Sequence, residues 1–169
     1  MPEAALTIDD VNGLSRKAFV AAFGEVFEST PSLAAKAWEW RPFSDRGVLV
    51  DAFHRAADQL DPAEELALLQ AHPQLASAEP MTQESRREQR DAGLTELDQE
   101  MHGRIQRANA RYVDRFGFPF IIAVRGLDPA DIALALAERL SNDDDQERAT
   151  ALTQVKRIAE LRIMNLVSL

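Results

Sequence analysis

Apolar residues recur at helical spacing along most of this chain. Phe19, Phe23, Val26 and Phe27 follow Ser15, and Leu49, Phe53, Ala57 and Leu60 follow Asp45. Steps of three and four residues place such side chains on one face of an α-helix, and Ser or Asp just upstream is a cap signal. Thr30-Pro31 predicts the cap and first residue of a short helix through Trp38, closed by Pro42. Asp61-Pro62-Ala63-Glu64 joins a cap, a proline at the first position and an acid at the third. The helix it opens, with Leu66, Leu68 and Leu69, must stop near Ala71, because Pro73 disfavours helical geometry at His72. Thr82 caps a helix holding Ser85, Glu88 and Gln89, which Gly93 ends. Thr95 with Asp98 opens what reads as the longest pattern, Leu97, Met101, Ile105, Ala108 and Tyr112. Asp128-Pro129 starts another helix, and the last runs from about Asp144 through Val155, Ile158 and Leu166. The pattern predicts an all-α fold: a single-domain bundle of about eight helices spanning residues 1–169.

One segment departs from this rule. Phe116-Gly117-Phe118-Pro119-Phe120-Ile121-Ile122-Ala123-Val124 is aromatic and β-branched and would read as a strand. A lone strand has no pairing partner, so the expectation is an extended, buried connection around Phe118–Val124. Its N–H and C=O groups must find partners. Any left unpaired are available to a ligand.

Composition narrows the chemistry. The 169 residues suffice for one sizeable core. A formal charge of −9 repels nucleic acid and anionic membrane, so neither is expected as a partner. The absence of cysteine excludes disulfides, thiolate catalysis and thiolate-held metals. No apolar run is long enough to span a bilayer, and Met1 to Asp10 lacks the pattern of a signal peptide. The expected compartment is the cytoplasm. Asp143-Asp144-Asp145 reads as a solvated helix start, and no metal site is expected. Phosphate-binding loops, dinucleotide fingerprints and serine-nucleophile elbows are missing.

Three histidines remain. His54 lies between Asp51 and Asp58, and His102 lies among Asp98, Gln99 and Gln106; both read as solvated helix faces. His72 follows Leu68 and Leu69 at a helix C-terminus, where partial negative charge favours imidazolium and suits a proton donor. The competing reading is a histidine satisfying loose carbonyls. Ser85, Glu88 and Gln89, at i, i+3 and i+4, share a face, either a solvated stripe or a face that meets something. The second reading gains weight because Arg86, Arg87 and Arg90 already charge the rest of this short helix. Arg162 projects among Ile158, Ala159 and Leu166 and needs an anionic partner: an internal carboxylate such as Glu88, or a substrate anion.

Taken together, His72-Pro73-x-Leu75, Ser85-x-x-Glu88-Gln89, Phe116-Gly117-Phe118-Pro119-Phe120-Ile121 with Arg125-Gly126, and Ile158-Ala159-Glu160-Leu161-Arg162-Ile163 resemble the 2-oxo-4-hydroxy-4-carboxy-5-ureidoimidazoline (OHCU) decarboxylase family over nearly the whole chain. The resemblance implies a cofactor-independent carboxy-lyase, usually a homodimer, that converts OHCU to (S)-allantoin in urate degradation. It implies His72 and Glu88 as catalytic residues. It implies substrate binding by Pro73, Ser85, Glu88, Gln89, the backbone of Phe120, Ile121, Ile122, Ala123 and Val124, and Arg162. It departs from the family after Leu75, where the usual glycine and basic residues are replaced by a shorter Ala76-Ser77-Ala78-Glu79-Pro80. That difference keeps a related cyclic ureide open as substrate; a non-catalytic helical interaction module of the same fold is the other alternative.

Overall fold

The computed structural model describes residues 4–169. Met1, Pro2 and Glu3, the start of the stretch read for a leader, lie outside the described residues. Among the described residues there are nine helices: α1 Ile8–Asn12, α2 Arg16–Phe23, α3 Ser32–Trp38, α4 Arg46–Asp58, α5 Pro62–Gln70, α6 Gln83–Asp91, α7 Gln99–Phe116, α8 Pro129–Arg139 and α9 Asp144–Leu166. The expected all-α class is observed, and the helix beyond the eight expected is the five-residue α1. None of the described helices is long and apolar enough to cross a membrane.

Local chemistry explains most boundaries. Ser15, Asp45, Thr82 and Asp128 each accept a backbone N–H three residues on, as cap side chains do. Asp61 and Glu64 bond each other's backbone N–H reciprocally at the start of α5. Gly93 ends α6 in the left-handed conformation, φ +80°, with Leu94 N–H on Gln89 C=O and Gly93 N–H on Arg90 C=O. Three boundaries differ from expectation. The Thr30 hydroxyl turns back to Glu28 C=O, so Pro31 becomes the uncapped residue before α3. Asp98, rather than Thr95, caps α7, because buried Leu94 holds the preceding turn and leaves Leu97 outside the helix. At 23 residues α9 is longer than the 18-residue α7, since its one apolar face continues to the C-terminal Val167.

The chain divides into two compact units, residues 1–65 with 156–169, and residues 66–155. In the first unit α2 packs on α3 and α3 on α4. Its core is aromatic: Phe19, Phe23, Phe27, Phe43 and Phe53 are all buried, and the Phe19 ring lies 4.8 Å from Phe23 and 6.0 Å from Phe53. The ends of this unit are pinned by Leu6 N–H on Leu166 C=O and Ser168 N–H on Leu6 C=O, both 2.9 Å. His54, read as a solvated histidine, is half-buried with Nε2 3.1 Å from Lys156 C=O. In the second unit α7 packs on α8, and a second ring cluster joins Tyr112, Phe116, Phe118 and Phe120.

Arg162 is buried in the first unit. Its guanidinium donates to the Glu28 carboxylate at 3.2 Å and to Glu25 C=O at 3.0 Å. Glu28, itself only 1% exposed, is thus an internal carboxylate partner of Arg162. Removing one member of a buried ion pair strands the other in a low-dielectric site. Arg162→Leu is expected to lower unfolding free energy by about 3–5 kcal/mol, read as the shift in urea midpoint at constant m-value.

Candidate active site

The second unit carries every candidate residue except Arg162. Two of its non-helical stretches, the turn after His72 and the segment 118–124, leave backbone polar groups without helical partners. Side chains of α6, α7, α8 and α9 supply those partners.

The first stretch begins where α5 stops at Gln70, as Pro73 requires. His72 is buried, and its Nδ1 lies 2.9 Å from Leu68 C=O, one turn back. A carbonyl only accepts, so Nδ1 carries a hydrogen. The turn beyond is tied at three points. Leu75 C=O accepts from Asn109 Nδ2 at 3.0 Å, Ala76 N–H donates to Gln89 Oε1 at 2.9 Å, and Ala76 C=O lies 3.2 Å from His102 Nε2. Ala76 has φ +57°, a left-handed conformation that glycine adopts without strain. This chain holds an alanine there by the three ties. His102, read as solvated, is half-buried and serves this turn.

Helix α6 confirms a two-faced character. Ser85 and Gln89 are buried at 6% exposure, Glu88 is half-buried, and Arg86, Arg87 and Arg90 are exposed. The Ser85–Glu88–Gln89 face therefore meets protein and is not a solvated stripe. Gln89 bridges α6 to the His72 turn through Ala76, and its Nε2 reaches Met81 Sδ at 3.7 Å. Pro73 is half-buried beside His72.

The second stretch follows Gly117, whose φ of +80° turns the chain out of α7 while its N–H bonds Val113 C=O. Gly117 C=O accepts from Gln70 Nε2 at 3.0 Å, which joins this segment to the end of α5. Phe118–Val124 is irregular and largely buried, as expected, and Phe120, Ile121 and Val124 direct their side chains into the core. Arg139, at the end of α8, donates to Ile121 C=O and lies 4.4 Å over the Phe120 ring. Gln154 of α9 accepts from Ala123 N–H at 2.9 Å. Among the described residues, Ile122 makes no main-chain hydrogen bond through either its N–H or its C=O.

Beneath this segment lies an ionic cluster that the sequence pattern did not reveal. Glu147 is fully buried; one of its carboxylate oxygens takes Arg139 Nε at 2.6 Å and Tyr112 O–H at 2.5 Å, and the other takes Asn142 Nδ2 at 2.9 Å. Neither Glu147 nor Arg139 is singled out by the sequence pattern. The available signal was their position on the Ala151–Val155 and Ile132–Leu136 faces. No three His, Asp or Glu residues among those described are grouped to hold a metal ion.

The candidate residues of the second unit are thus a buried histidine, a half-buried glutamate on α6 and two irregular segments held by side-chain hydrogen bonds. The OHCU decarboxylase family model matches residues 12–164, and the chain belongs to that family. It is 42% identical over 161 residues to the 2-oxo-4-hydroxy-4-carboxy-5-ureidoimidazoline decarboxylase of Amia calva, covering 93% of this chain and 92% of that protein. It is 41% identical to the protein of the same name from Haloferax volcanii, covering 94% of each. In fold it resembles the crystal structure of (S)-allantoin synthase, with a TM-score of 0.77, 24% identity and 96% of this chain covered; the chain spans 54% of that one.

Burial and the Glu147 hydrogen bond both push the Tyr112 phenol well above its ordinary value of 10. A raised folded-state value means that the unfolded chain releases its phenolic proton first. Tyr112 therefore stabilises the fold fully below pH 10, and that contribution falls as pH rises above 10. Because Tyr112 is the only tyrosine, absorbance at the tyrosinate band reports it alone. Folded protein is expected to show no tyrosinate signal around pH 10, while protein in denaturant titrates there; matching titrations would overturn the buried cluster.

Proposed function

We propose that this protein decarboxylates OHCU to (S)-allantoin in urate degradation, with His72 and Glu88 as its catalytic residues and no cofactor. The observation that carries this reading is His72: a buried imidazole bonded through Nδ1 to Leu68 C=O, directly before Pro73, in a turn that Gln89 of the Ser85–Glu88–Gln89 face ties through Ala76 N–H. Membership of the family supports the reaction. The (S) product agrees with the name of the structurally similar synthase.

The chemistry asks for positioning and one directed proton. The carbon that loses CO2 carries a hydroxyl and adjoins the ring C=N. When the carbon–carboxylate bond breaks, its electron pair moves into that C=N, whose nitrogen takes up a proton. The resulting enol then receives a proton on the neighbouring ureido-bearing carbon and releases its hydroxyl proton to become a carbonyl. No external electron sink is needed. His72 Nε2 delivers the proton from one face, which sets the configuration. Glu88 orients the hydroxyl and ring N–H groups, with Ser85 and Gln89 lining the same face. Pro73 and the apolar Phe120–Val124 segment keep water from the departing carboxylate. The main-chain N–H and C=O of Ile122 match the C=O and N–H of a ureide edge. The whole chain acts as one domain, as a cytoplasmic homodimer.

The test uses freshly generated OHCU and circular dichroism at allantoin wavelengths. Wild-type protein is expected to speed appearance of the (S) signal over the racemic spontaneous background. His72→Ala is expected to lower kcat/KM by about 10²–10⁴-fold with far-ultraviolet circular dichroism unchanged. Optically pure product at wild-type speed from that variant would overturn the assignment of His72. Glu88→Ala is expected to reduce turnover through misplacement of the substrate; unchanged kinetics would return Glu88 to a structural role.

A further inference from the structure

We propose that Arg139 and Gln154 are positioning residues for the reaction: together they rotate the two peptide planes flanking Ile122 so that its N–H and C=O face the substrate as a matched donor–acceptor pair. The inference rests on the reading of the 120–124 segment as substrate-binding, and it assigns the orientation of that segment to two side chains that do not touch substrate.

The argument begins with peptide geometry. Among the described residues the only cis peptide is Arg41-Pro42, so both peptides around Ile122 are trans. In a trans peptide the C=O and the following N–H point in opposite directions. Arg139 draws Ile121 C=O towards itself, which sends Ile122 N–H the other way. Gln154 draws Ala123 N–H towards itself, which sends Ile122 C=O the other way. The two anchors lie on one side of the segment. Arg139 is bound to Glu147, and Glu147 and Gln154 are seven residues apart on α9, two turns along one helix face. Both outward groups of Ile122 therefore emerge on the side away from α9, and both lack a partner among the described residues. An adjacent N–H and C=O on one extended residue is the edge that a β-strand offers a partner, and a cyclic ureide carries the complementary C=O and N–H.

The Arg139 side chain is held for this task. Its fork takes Glu147 through Nε and one terminal nitrogen, both at 2.6 Å, and leaves the other terminal nitrogen for Ile121 C=O. Its plane rests on Phe120, the residue before the anchored peptide. A lysine keeps the charge but cannot hold carboxylate and carbonyl in one plane.

Gln154 is half-buried, so its substitution is the primary test. Gln154→Met removes the acceptor at similar length; Gln154→Glu keeps an acceptor for Ala123 N–H. We expect Gln154→Met to lower kcat/KM on OHCU about tenfold, mainly through KM, with Gln154→Glu restoring most of it. Arg139→Lys is expected to fall at least as far while thermal melting still shows a cooperative fold. A second readout does not use turnover. In 15N-labelled protein titrated with (S)-allantoin, the Ile122 amide resonance is expected to shift in wild type and Gln154→Glu and to stay unmoved in Gln154→Met. Equal kcat/KM and equal Ile122 shifts in all the variants would overturn the positioning role while the decarboxylase reading stands. A wild type that does not accelerate OHCU loss would overturn the decarboxylase reading, and the Ile122 shifts would still decide whether Gln154 orients a ureide-binding edge.

Discussion

Buried backbone that is neither helix nor sheet has to be satisfied by side chains, and the second unit of this protein is organised around that constraint. An unpaired buried N–H or C=O costs about 1–3 kcal/mol, so an irregular segment survives in a core only where specific donors and acceptors meet it. Here the partners are Asn109, Gln89 and His102 for the turn after His72, and Arg139 and Gln154 for the segment after Gly117. Remove that network and the helices remain, but the two stretches that carry the candidate chemistry lose a single conformation.

The helix α7 is the common support. Asn109 and Tyr112 stand one turn apart on its buried face. Asn109 reaches the His72 turn, and Tyr112 reaches Glu147 and through it Arg139. One helix thus supports both irregular segments. The buried charges of Arg139 and Glu147 are tolerated because the carboxylate is met by three side chains, Arg139, Tyr112 and Asn142.

The first unit has a different physical character. Five phenylalanine rings form its core, and its irregular loops are short. Its one deeply buried ion pair, among the described residues, is Arg162 with Glu28. That pairing gives Arg162 a structural function whether or not its guanidinium also meets substrate.

Helix class and most helix starts were legible in the sequence, because they depend on residues within one or two turns. Ser15, Asp45, Asp61, Thr82 and Asp128 act on N–H groups three positions away, and Pro73 acts on its immediate neighbour. The exceptions at Thr30 and Thr95 arose where a hydroxyl found a closer carbonyl or a buried Leu94 fixed the preceding turn. The placement of His72 at a helix end and of Ser85, Glu88 and Gln89 on one helix face was legible for the same local reason. What only the tertiary structure decided are the long-range partners: Glu28 for Arg162, Ala76 C=O for His102, Lys156 C=O for His54, and Ile121 C=O for Arg139. A charged or amide side chain carries no local mark of the carbonyl it will satisfy. That choice is made when distant helices pack and one buried polar group becomes the nearest answer to another.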